Sequence, residues 1–188
     1  FISGDKSLVG QVKLDNFKDI KTSEVGVYNT PQLVALLNIL GDDITFDYNQ
    51  MGEKFVSVDM GDKNGTKSKY MLSDLSVIPS APDLKNLPSE WDLEIEIDNH
   101  FISTFISGKG ALPDTDTFTI ANSDGKVEVI IGFSNVQTNR VTIPVEAEVN
   151  GNFDVASFNA SMFASILNAN KECNKAVLKV SSQGISTI

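Results

Sequence analysis

The alternation of apolar and polar positions across residues 24–60 changes period twice. Residues 25–27 alternate as in a strand, whereas the apolar run 33–40 has the spacing of a helix. Strand-like alternation then returns in 44–60, where a turn interrupts it. This stretch therefore predicts a strand, a helix and a hairpin. The predicted limits of the helix are an N-cap at Thr30, a first helical residue at Pro31 and a terminating glycine at Gly41.

The same order of strand, capped helix and hairpin recurs in the middle of the chain. Residues 91–97 alternate strictly, and Asp98 is placed to cap a helix that ends at Gly108. A hairpin across 118–131 follows. The predicted apolar face of this helix consists of Phe101, Ile102, Phe105 and Ile106.

A third copy of the unit lies near the end of the chain. It comprises a strand at 153–158, a cap at Asn159 and strands within 176–188. The predicted apolar face of its helix consists of Met162, Phe163, Ile166 and Leu167. Before it, 140–149 predicts one more strand, kinked at Pro144 or placed at a sheet edge because proline lacks a backbone donor.

Proline content marks a boundary between two predicted domains. Three of the six prolines fall in residues 75–89, which show no periodic pattern. We therefore expect a linker at 75–89 between an N-terminal domain of 1–74 and a C-terminal domain of 90–188. The short strand at 8–14 suits the tail of a fourth unit whose helix is missing, so truncation at both ends of the chain is expected.

Composition and charge narrow the class of protein. The chain has 188 residues, of which 41% are hydrophobic and 21% charged, values typical of a folded globular protein. No apolar run reaches the roughly 18–20 residues that cross a bilayer, and the single cysteine, Cys173, excludes an internal disulfide framework. The formal net charge of −10 argues against non-specific coating of nucleic acid, which requires clustered Lys or Arg.

The outward faces of the three predicted helices carry no acid, although acids outnumber basic residues 25 to 15. Apart from the capping Asp98, these faces are built from small, mostly polar residues. They comprise Gln32, Ala35, Asn38, Asn99, Ser103, Thr104, Ser107, Ser161, Ala164, Ser165 and Asn168. This distribution favours helices that face a negatively charged partner, although chance alone could also produce it.

Three stretches and their spacing resemble a known family. The first stretch is Val25–Thr30, which runs into the predicted helix Leu33–Leu40 and then Gly41-Asp42-Asp43. The second is the linker Ser76–Pro82, and the third is Gly125–Ser134. In this order they resemble the sliding-clamp family of DNA polymerase processivity factors, most closely the clamps of T-even-type phages. The resemblance covers the whole chain and rests on order and architecture, since the stretches are not catalytic motifs.

The resemblance implies an α+β protein with the DNA-clamp fold, in which two similar domains each pack helices on one side of curved antiparallel sheets. It implies a head-to-tail homotrimeric ring that encircles duplex DNA and tethers the replicative DNA polymerase through a C-terminal peptide. A clamp-loader ATPase would open the ring. The implied location is the cytoplasm of a phage-infected bacterial cell, with no membrane partner.

Residue roles follow from the same resemblance. The implied subunit interface comprises Tyr70, Met71, Leu72, Thr142, Ile143 and Val145. The implied pocket for a partner peptide comprises Val77, Ile78 and Pro79. The family's lysine-bearing first helix is absent, so the implied DNA-facing residues are few, namely His100, Lys109, Lys171 and Lys175. Contact with DNA is therefore expected to be weak and independent of sequence, which suits a ring that slides.

The residues that could carry catalysis or bind a metal lack the necessary partners. His100 is the only histidine and has no nucleophile motif near it. Cys173 has no second thiol or histidine at zinc-ligand spacing. The prediction is a non-enzymatic protein without cofactor or metal.

Two other classes remain open on the sequence alone. A β-rich phage or secreted module, structural or interacting, would explain the acidity and the Ser/Thr-rich strands. It would not explain three capped helices in register with hairpins. A protein that binds a small ligand or an acyl chain would place helices over a sheet, but it predicts a closed cavity rather than polar helix faces.

Overall fold

The computed structural model describes residues 2, 3, 5, 7–12, 24–79, 87–136, 138–173 and 175–188. Three α-helices and eleven strands lie in these residues, and every strand pair in the sheets is antiparallel. The fold class is therefore α+β, as predicted. The chain divides into two compact units, Phe1–Lys85 and Asn86–Ile188. Residues 13 and 14 of the predicted strand 8–14 and the middle of the predicted linker, 80–86, lie outside the described residues.

The first unit contains one helix and one three-stranded sheet. Its elements are α1 (Thr30–Leu37), β1 (Thr45–Met51), β2 (Lys54–Gly61), β3 (Lys67–Met71) and a 3-10 turn at Leu75–Val77. The strands lie in the order β1-β2-β3. The strand predicted at 25–27 is present only as a single bridge, from Gly26 to Ser73, and the predicted opening strand contributes only the bridge between Ile2 and Val9.

The N-cap of α1 is Asn29, so the prediction of Thr30 was wrong by one residue. The Asn29 Oδ1 atom accepts a hydrogen bond of 3.1 Å from the backbone N–H of Gln32. The backbone of Asn29 is itself held by Tyr70, whose hydroxyl oxygen accepts from the Asn29 N–H at 3.1 Å and donates to its carbonyl at 3.2 Å. The tyrosine therefore ties the start of α1 to β3.

The first unit has a small core. The buried apolar residues among those described are Leu40, Val58, Met60 and Tyr70. Residues of α1 pack against this cluster, yet none of them is fully buried. The opposite face of the sheet is polar. There Asn49 Nδ2 donates to Ser57 Oγ at 3.1 Å and to Asp59 Oδ2 at 2.9 Å.

The second unit contains two helices and two four-stranded sheets. Its elements are β4 (Leu93–Ile97), α2 (Asn99–Ala111), β5 (Thr117–Ser123), β6 (Lys126–Ile131), β7 (Val141–Val145), β8 (Ala147–Val149), β9 (Val155–Asn159), α3 (Ala160–Ala169), β10 (Ala176–Val180) and β11 (Ser186–Thr187). One sheet has the order β7-β6-β5-β9 and the other β11-β10-β4-β8. Each helix follows a strand of one sheet and leads into the other.

Both predicted caps in the second unit are confirmed. The Asp98 Oδ1 atom accepts from the backbone N–H of Phe101 at 2.7 Å, and Asn159 Oδ1 accepts from that of Met162 at 2.7 Å. Helices α2 and α3 pack against each other and the sheet through phenylalanine rings. The ring centroid of Phe163 lies 4.9 Å from that of Phe105 and 4.7 Å from that of Phe118. Such aromatic pairs contribute about 0.5–1.5 kcal/mol each beyond the burial of their surface.

Two sequence predictions for the second unit were wrong in detail. Helix α2 continues past Gly108 to Ala111, because Gly108 packs against a sheet rather than ending the helix. A Cβ atom on Gly108 would lie 3.1 Å from Val141 Cγ1 and 3.3 Å from Ile131 Cδ1. The single strand predicted at 140–149 is two strands, since β7 pairs with β6 and β8 pairs with β4 of the other sheet. Pro144 lies on the edge strand β7, as expected for a residue without a donor.

No helix in the described ranges is both long and apolar enough to cross a membrane.

Candidate functional site

The three helices carry almost no charge. Together α1, α2 and α3 contain no Asp or Glu, and their only Lys or Arg is Lys109. Their exposed residues include Ser103, Ser107, Ser161, Ser165 and Asn168. The Ser103 hydroxyl donates to the His100 carbonyl and that of Ser165 to the Ser161 carbonyl, both at 2.9 Å. The exposed faces of α2 and α3 in the second unit are therefore polar and close to neutral in a chain of net charge −10.

The residues predicted to face DNA occupy different positions on α2 and α3. His100 is exposed in the first turn of α2. Lys109 lies in the last turn, where its Nζ donates to the Pro113 carbonyl at 2.8 Å and to the Leu112 carbonyl at 3.4 Å. Its ammonium therefore neutralises the negative end of its own helix. Lys171 and Lys175 are exposed beyond the end of α3, and within the described residues neither side chain has an ion pair or hydrogen bond.

Within the described part of the chain, strand β3 lies at a sheet edge and has backbone groups without a partner along one side. The Leu72 N–H donates to the Val56 carbonyl on β2, whereas the next residue, Ser73, donates to the Gly26 carbonyl on the opposite side, both at 2.9 Å. Because successive residues of an antiparallel strand point to opposite edges, the N–H and C=O groups of Lys67, Lys69 and Met71 point away from β2.

The residues predicted for the subunit interface differ in exposure. Met71 and Thr142 have exposed side chains, and Met71 is 64% exposed. Tyr70 and Ile143 are each only 4% exposed, so their side chains belong to the cores of their units. Leu72 and Val145 are half-buried against the cores of their units. The assignment of these six residues to a subunit interface stays a prediction, to which Met71 and Thr142 contribute the exposed side chains.

The segment predicted to form a peptide pocket follows β3. Val77 is 57% exposed, and Pro79 is also exposed. Ile78 is half-buried, and its Cγ1 atom would lie 3.2 Å from a Cβ atom on Gly26. An ion pair of 2.6 Å from Lys54 to Asp74 anchors the start of the segment, and with the Ser76 N–H it lowers the pKa of the Asp74 carboxyl. This arrangement presents Val77 to solvent on a fixed turn.

Sequence reasoning missed several residues of these surfaces. Lys69 was placed in the predicted edge strand, but the charged side chains of Lys67, Glu128 and Glu146 beside the two edges were given no role at a site. Lysines on a strand that also contains inward apolar residues are a known feature of sheet edges and could have indicated β3. Leu75, which is 48% exposed next to Val77, was also missed.

Groups that could support catalysis or metal binding are not clustered in the described part of the chain. No set of three His, Cys, Asp or Glu side chains there could hold a metal ion. Cys173 is a free, exposed thiol.

No protein-family model matches the sequence, and no curated protein matches it either. Solved structures of similar fold exist nonetheless. The proliferating cellular nuclear antigen of Entamoeba histolytica superposes with a TM-score of 0.55 at 16% identity, over 82% of this chain and 61% of that one. The β subunit from DNA polymerase of Streptococcus pyogenes gives a TM-score of 0.58 at 15% identity, over 91% of this chain and 44% of that one.

A third structure, the pol III β of Caulobacter crescentus, gives a TM-score of 0.51 at 12% identity, over 80% of this chain and 38% of that one. The chain thus spans less than two thirds of the length of each of these proteins. Identities this low establish a shared fold and not a shared activity. The α+β architecture, with helices lying on antiparallel sheets, matches all three over most of this chain, which therefore has the fold of the DNA clamps.

Proposed function

We propose that this chain is a sliding clamp. It encircles duplex DNA as a head-to-tail trimeric ring and tethers a replicative DNA polymerase for processive synthesis. The observation that carries the proposal is the nearly uncharged, acid-free surface of helices in a chain that has this fold and a net charge of −10. The polymerase is tethered by topology, because encirclement keeps it at a high effective concentration near its template.

The helix surface is suited to loose contact with DNA. Acidic side chains would repel phosphates, and the described helices have none. Many lysines would bind phosphates tightly and oppose movement along the duplex. With Lys109 engaged by its own helix end, Lys171 and Lys175 are the other lysines next to the helices of the second unit, with His100 as a weaker contributor.

The ring is closed by the edges β3 and β7 of successive subunits. A head-to-tail interface uses two different surfaces of each subunit, and it forms a closed ring when the rotation per subunit divides the circle. The outward backbone groups of Lys67, Lys69 and Met71 can extend the sheet of a neighbour. Met71 and Thr142 are the exposed interface side chains on the two strands.

Partners engage the clamp at the turn that carries Val77. Leu75 and Val77 are 48% and 57% exposed, so together they offer an apolar contact for a polymerase peptide. A clamp-loader ATPase opens the ring. No step of this function requires catalysis by the clamp itself. The resemblance to T-even-type phage clamps extends the proposal to a phage protein that acts in the cytoplasm of an infected bacterium.

Sedimentation combined with small-angle scattering tests the ring. The expected result is a trimer whose scattering profile has the central hole of an annulus. Met71→Asp should shift the protein to monomer without loss of folding, because this side chain lies outside the core. A protein that remains monomeric at tens of micromolar, or a trimer without a central hole, would contradict the proposal.

Calorimetry with the C-terminal peptide of the cognate polymerase tests the partner site. Val77→Ser should weaken binding. Val136→Ser is the matched control because Val136 is also a largely exposed valine, at 66% against 57% for Val77, on a loop of the second unit. Equal affinities of the two variants would exclude the turn at Leu75–Val77 as the peptide site.

A further inference from the structure

The chain contains two Asn-Gly pairs, Asn64-Gly65 and Asn150-Gly151. An asparagine followed by glycine can lose its side-chain amide without an enzyme, because glycine has no side chain to shield the backbone nitrogen that attacks the asparagine Cγ atom. The reaction requires that nitrogen to be free of hydrogen bonds, and it requires the asparagine to rotate about its Cα–C and Cα–Cβ bonds. Identical in sequence, the two pairs differ in how the fold holds them.

The first pair lies in a closed turn between β2 and β3. The backbone N–H of Gly65, which is the attacking group, donates to the Asp62 carbonyl at 3.1 Å. The Asp62 Oδ1 atom accepts from the backbone N–H groups of Asn64 and Thr66, both at 2.9 Å. These bonds hold the attacking nitrogen and the backbone on either side of it. The turn must therefore open before Asn64 can react.

The second pair lies in the bridge from β8 to β9, which belong to different sheets of the second unit. Asn150 and Gly151 are both exposed, and Gly151 has a φ of 104°. The Asn150 N–H donates to the Asp92 carbonyl at 2.8 Å. Within the described residues, the side-chain amide of Asn150 and the N–H of Gly151 have no hydrogen-bond partner. The attacking nitrogen and the amide that it attacks are therefore both free.

We propose that Asn150 is a site of spontaneous deamidation in the folded protein, whereas the fold protects Asn64. Hydroxide removes the proton of the Gly151 N–H, and the nitrogen forms a bond to Asn150 Cγ. The Cγ–Nδ2 bond breaks, and the departing nitrogen takes a proton from water to leave as ammonia, which regenerates the hydroxide. Water then opens the cyclic imide at either carbonyl and yields aspartate or isoaspartate. The modification needs no partner and is independent of the proposed ring.

Both products disturb a short bridge that is held at each end. Asn150 is bonded to Asp92 at one end, and at the other Phe153 is 1% exposed and its carbonyl accepts from Asn122 Nδ2 at 3.0 Å. Isoaspartate adds a carbon atom to the main chain of this bridge. Aspartate adds a negative charge near that of Asp92, whose Oδ1 atom would lie 3.6 Å from a Cβ atom on Gly151. The modification should therefore destabilise the second unit.

Peptide mapping by mass spectrometry tests the site. The folded chain is incubated in mildly alkaline buffer, and the conversion of each asparagine to aspartate or isoaspartate is followed with time. Asn150 should react faster than Asn64 by about tenfold or more, because the hydrogen bonds of the Asn64 turn must open first. In urea at the same pH, where neither pair is held, the two rates should be similar. Equal rates in the folded chain, or an Asn150 that stays intact for as long as its conversion takes in urea, would overturn the proposal.

Two variants separate the causes. Asp62→Ala removes the acceptor that holds the Asn64 turn, so it should speed the reaction at Asn64 and leave that at Asn150 unchanged. An unchanged rate at Asn64 would refute protection by the turn.

Asn150→Gln is the matched control for stability, because a glutamine would have to close a larger ring and reacts far more slowly. Before incubation it should unfold in urea like the wild type, as followed by the fluorescence of Trp91 in the second unit. After incubation the wild type should unfold at a lower urea concentration than Asn150→Gln. Identical unfolding of the two incubated proteins would refute the effect of the modification on the second unit.

Discussion

Helix α2 contains two glycines whose replacement by alanine should have opposite effects. Both have ordinary helical backbone angles, since neither is among the positive-φ glycines of the described chain. A Cβ atom on Gly110 would meet nothing within 4 Å. A Cβ atom on Gly108 would lie 3.1 Å from Val141 Cγ1 and 3.3 Å from Ile131 Cδ1. These contacts are shorter than van der Waals packing between carbon atoms, at roughly 3.5–4.0 Å.

The expected size of each effect follows from two opposing terms. Replacing a glycine within a helix by alanine stabilises the helix by about 0.5–1 kcal/mol. Gly110→Ala should raise the free energy of unfolding by the lower of these values, because Gly110 lies in the last turn of α2. Gly108→Ala gains the same term but overpacks the contact between α2 and β7, which costs about 1–3 kcal/mol. The net result for Gly108→Ala should be a loss of about 0.5–2 kcal/mol in the free energy of unfolding.

Fluorescence of Trp91 during urea unfolding measures both changes. It is the only tryptophan of the chain and lies in the second unit, so its signal follows that unit even if the two units unfold separately. Gly108→Ala also displaces Val141, the first residue of the edge strand β7, and should therefore weaken self-association. A Gly108→Ala variant as stable as Gly110→Ala would refute the argument that Gly108 serves close packing.

Three further predictions concern the core, the first unit and the end of α2. Phe163→Ala should lower the free energy of unfolding by about 3–5 kcal/mol in urea, because this side chain is 6% exposed. The control Phe133→Ala, at a side chain 47% exposed, should change it by less than about 1 kcal/mol. The pKa of Asp62 is lowered by hydrogen bonds that its carboxylate accepts from backbone N–H groups, of which that of Gly41 has the largest effect. Because the pKa of Asp62 is lower in the folded protein than in the unfolded chain, where it is about 3.9, the ionised carboxylate stabilises the fold at pH values above this value. This stabilisation is lost as the pH falls through the folded pKa. Asp62→Asn should therefore flatten the acid side of the stability profile measured by circular dichroism, and an unchanged profile would contradict this. Lys109→Gln should lower the melting temperature, because the ammonium group no longer binds the carbonyls at the end of α2. It should leave the affinity for duplex DNA within about twofold in a low-salt binding titration, whereas substitution of Lys171 and Lys175 should weaken binding more. A large loss of affinity in Lys109→Gln would indicate that Lys109 contacts DNA after all.

Local patterns in the sequence were sufficient to identify most of the secondary structure. The hairpin across 118–131 and the caps at Asp98 and Asn159 depend only on neighbouring residues, and these predictions were confirmed. The cap of α1 was misplaced because Asn29 and Thr30 are both acceptable N-caps. The hydroxyl of Tyr70, 41 residues away, binds the backbone of Asn29 and not that of Thr30.

Predictions that depended on distant residues were less accurate. In the sequence 140–149 an apolar residue recurs at every second position without a break, yet the chain changes sheets at Glu146, because β6 and β4 each provide a partner for only part of it. The side chains of Tyr70 and Ile143 could not be assigned to core or surface until the opposite strand was known. The same holds for Lys109, whose ammonium is engaged by carbonyls that α2 brings within reach only as it ends.

Periodicity, capping residues and turn chemistry determine the helices, the hairpins and the absence of acid from the helices, because each of these properties belongs to a contiguous stretch of chain. Sheet order, the identity of the edge strands and the exposure of each side chain required the tertiary structure. They depend on contacts between residues that are far apart in sequence, such as Val58 with Tyr70 and Val129 with Ile143. The proposed DNA surface could therefore be inferred from composition, whereas the edge strands β3 and β7 became visible only once strand partners were assigned.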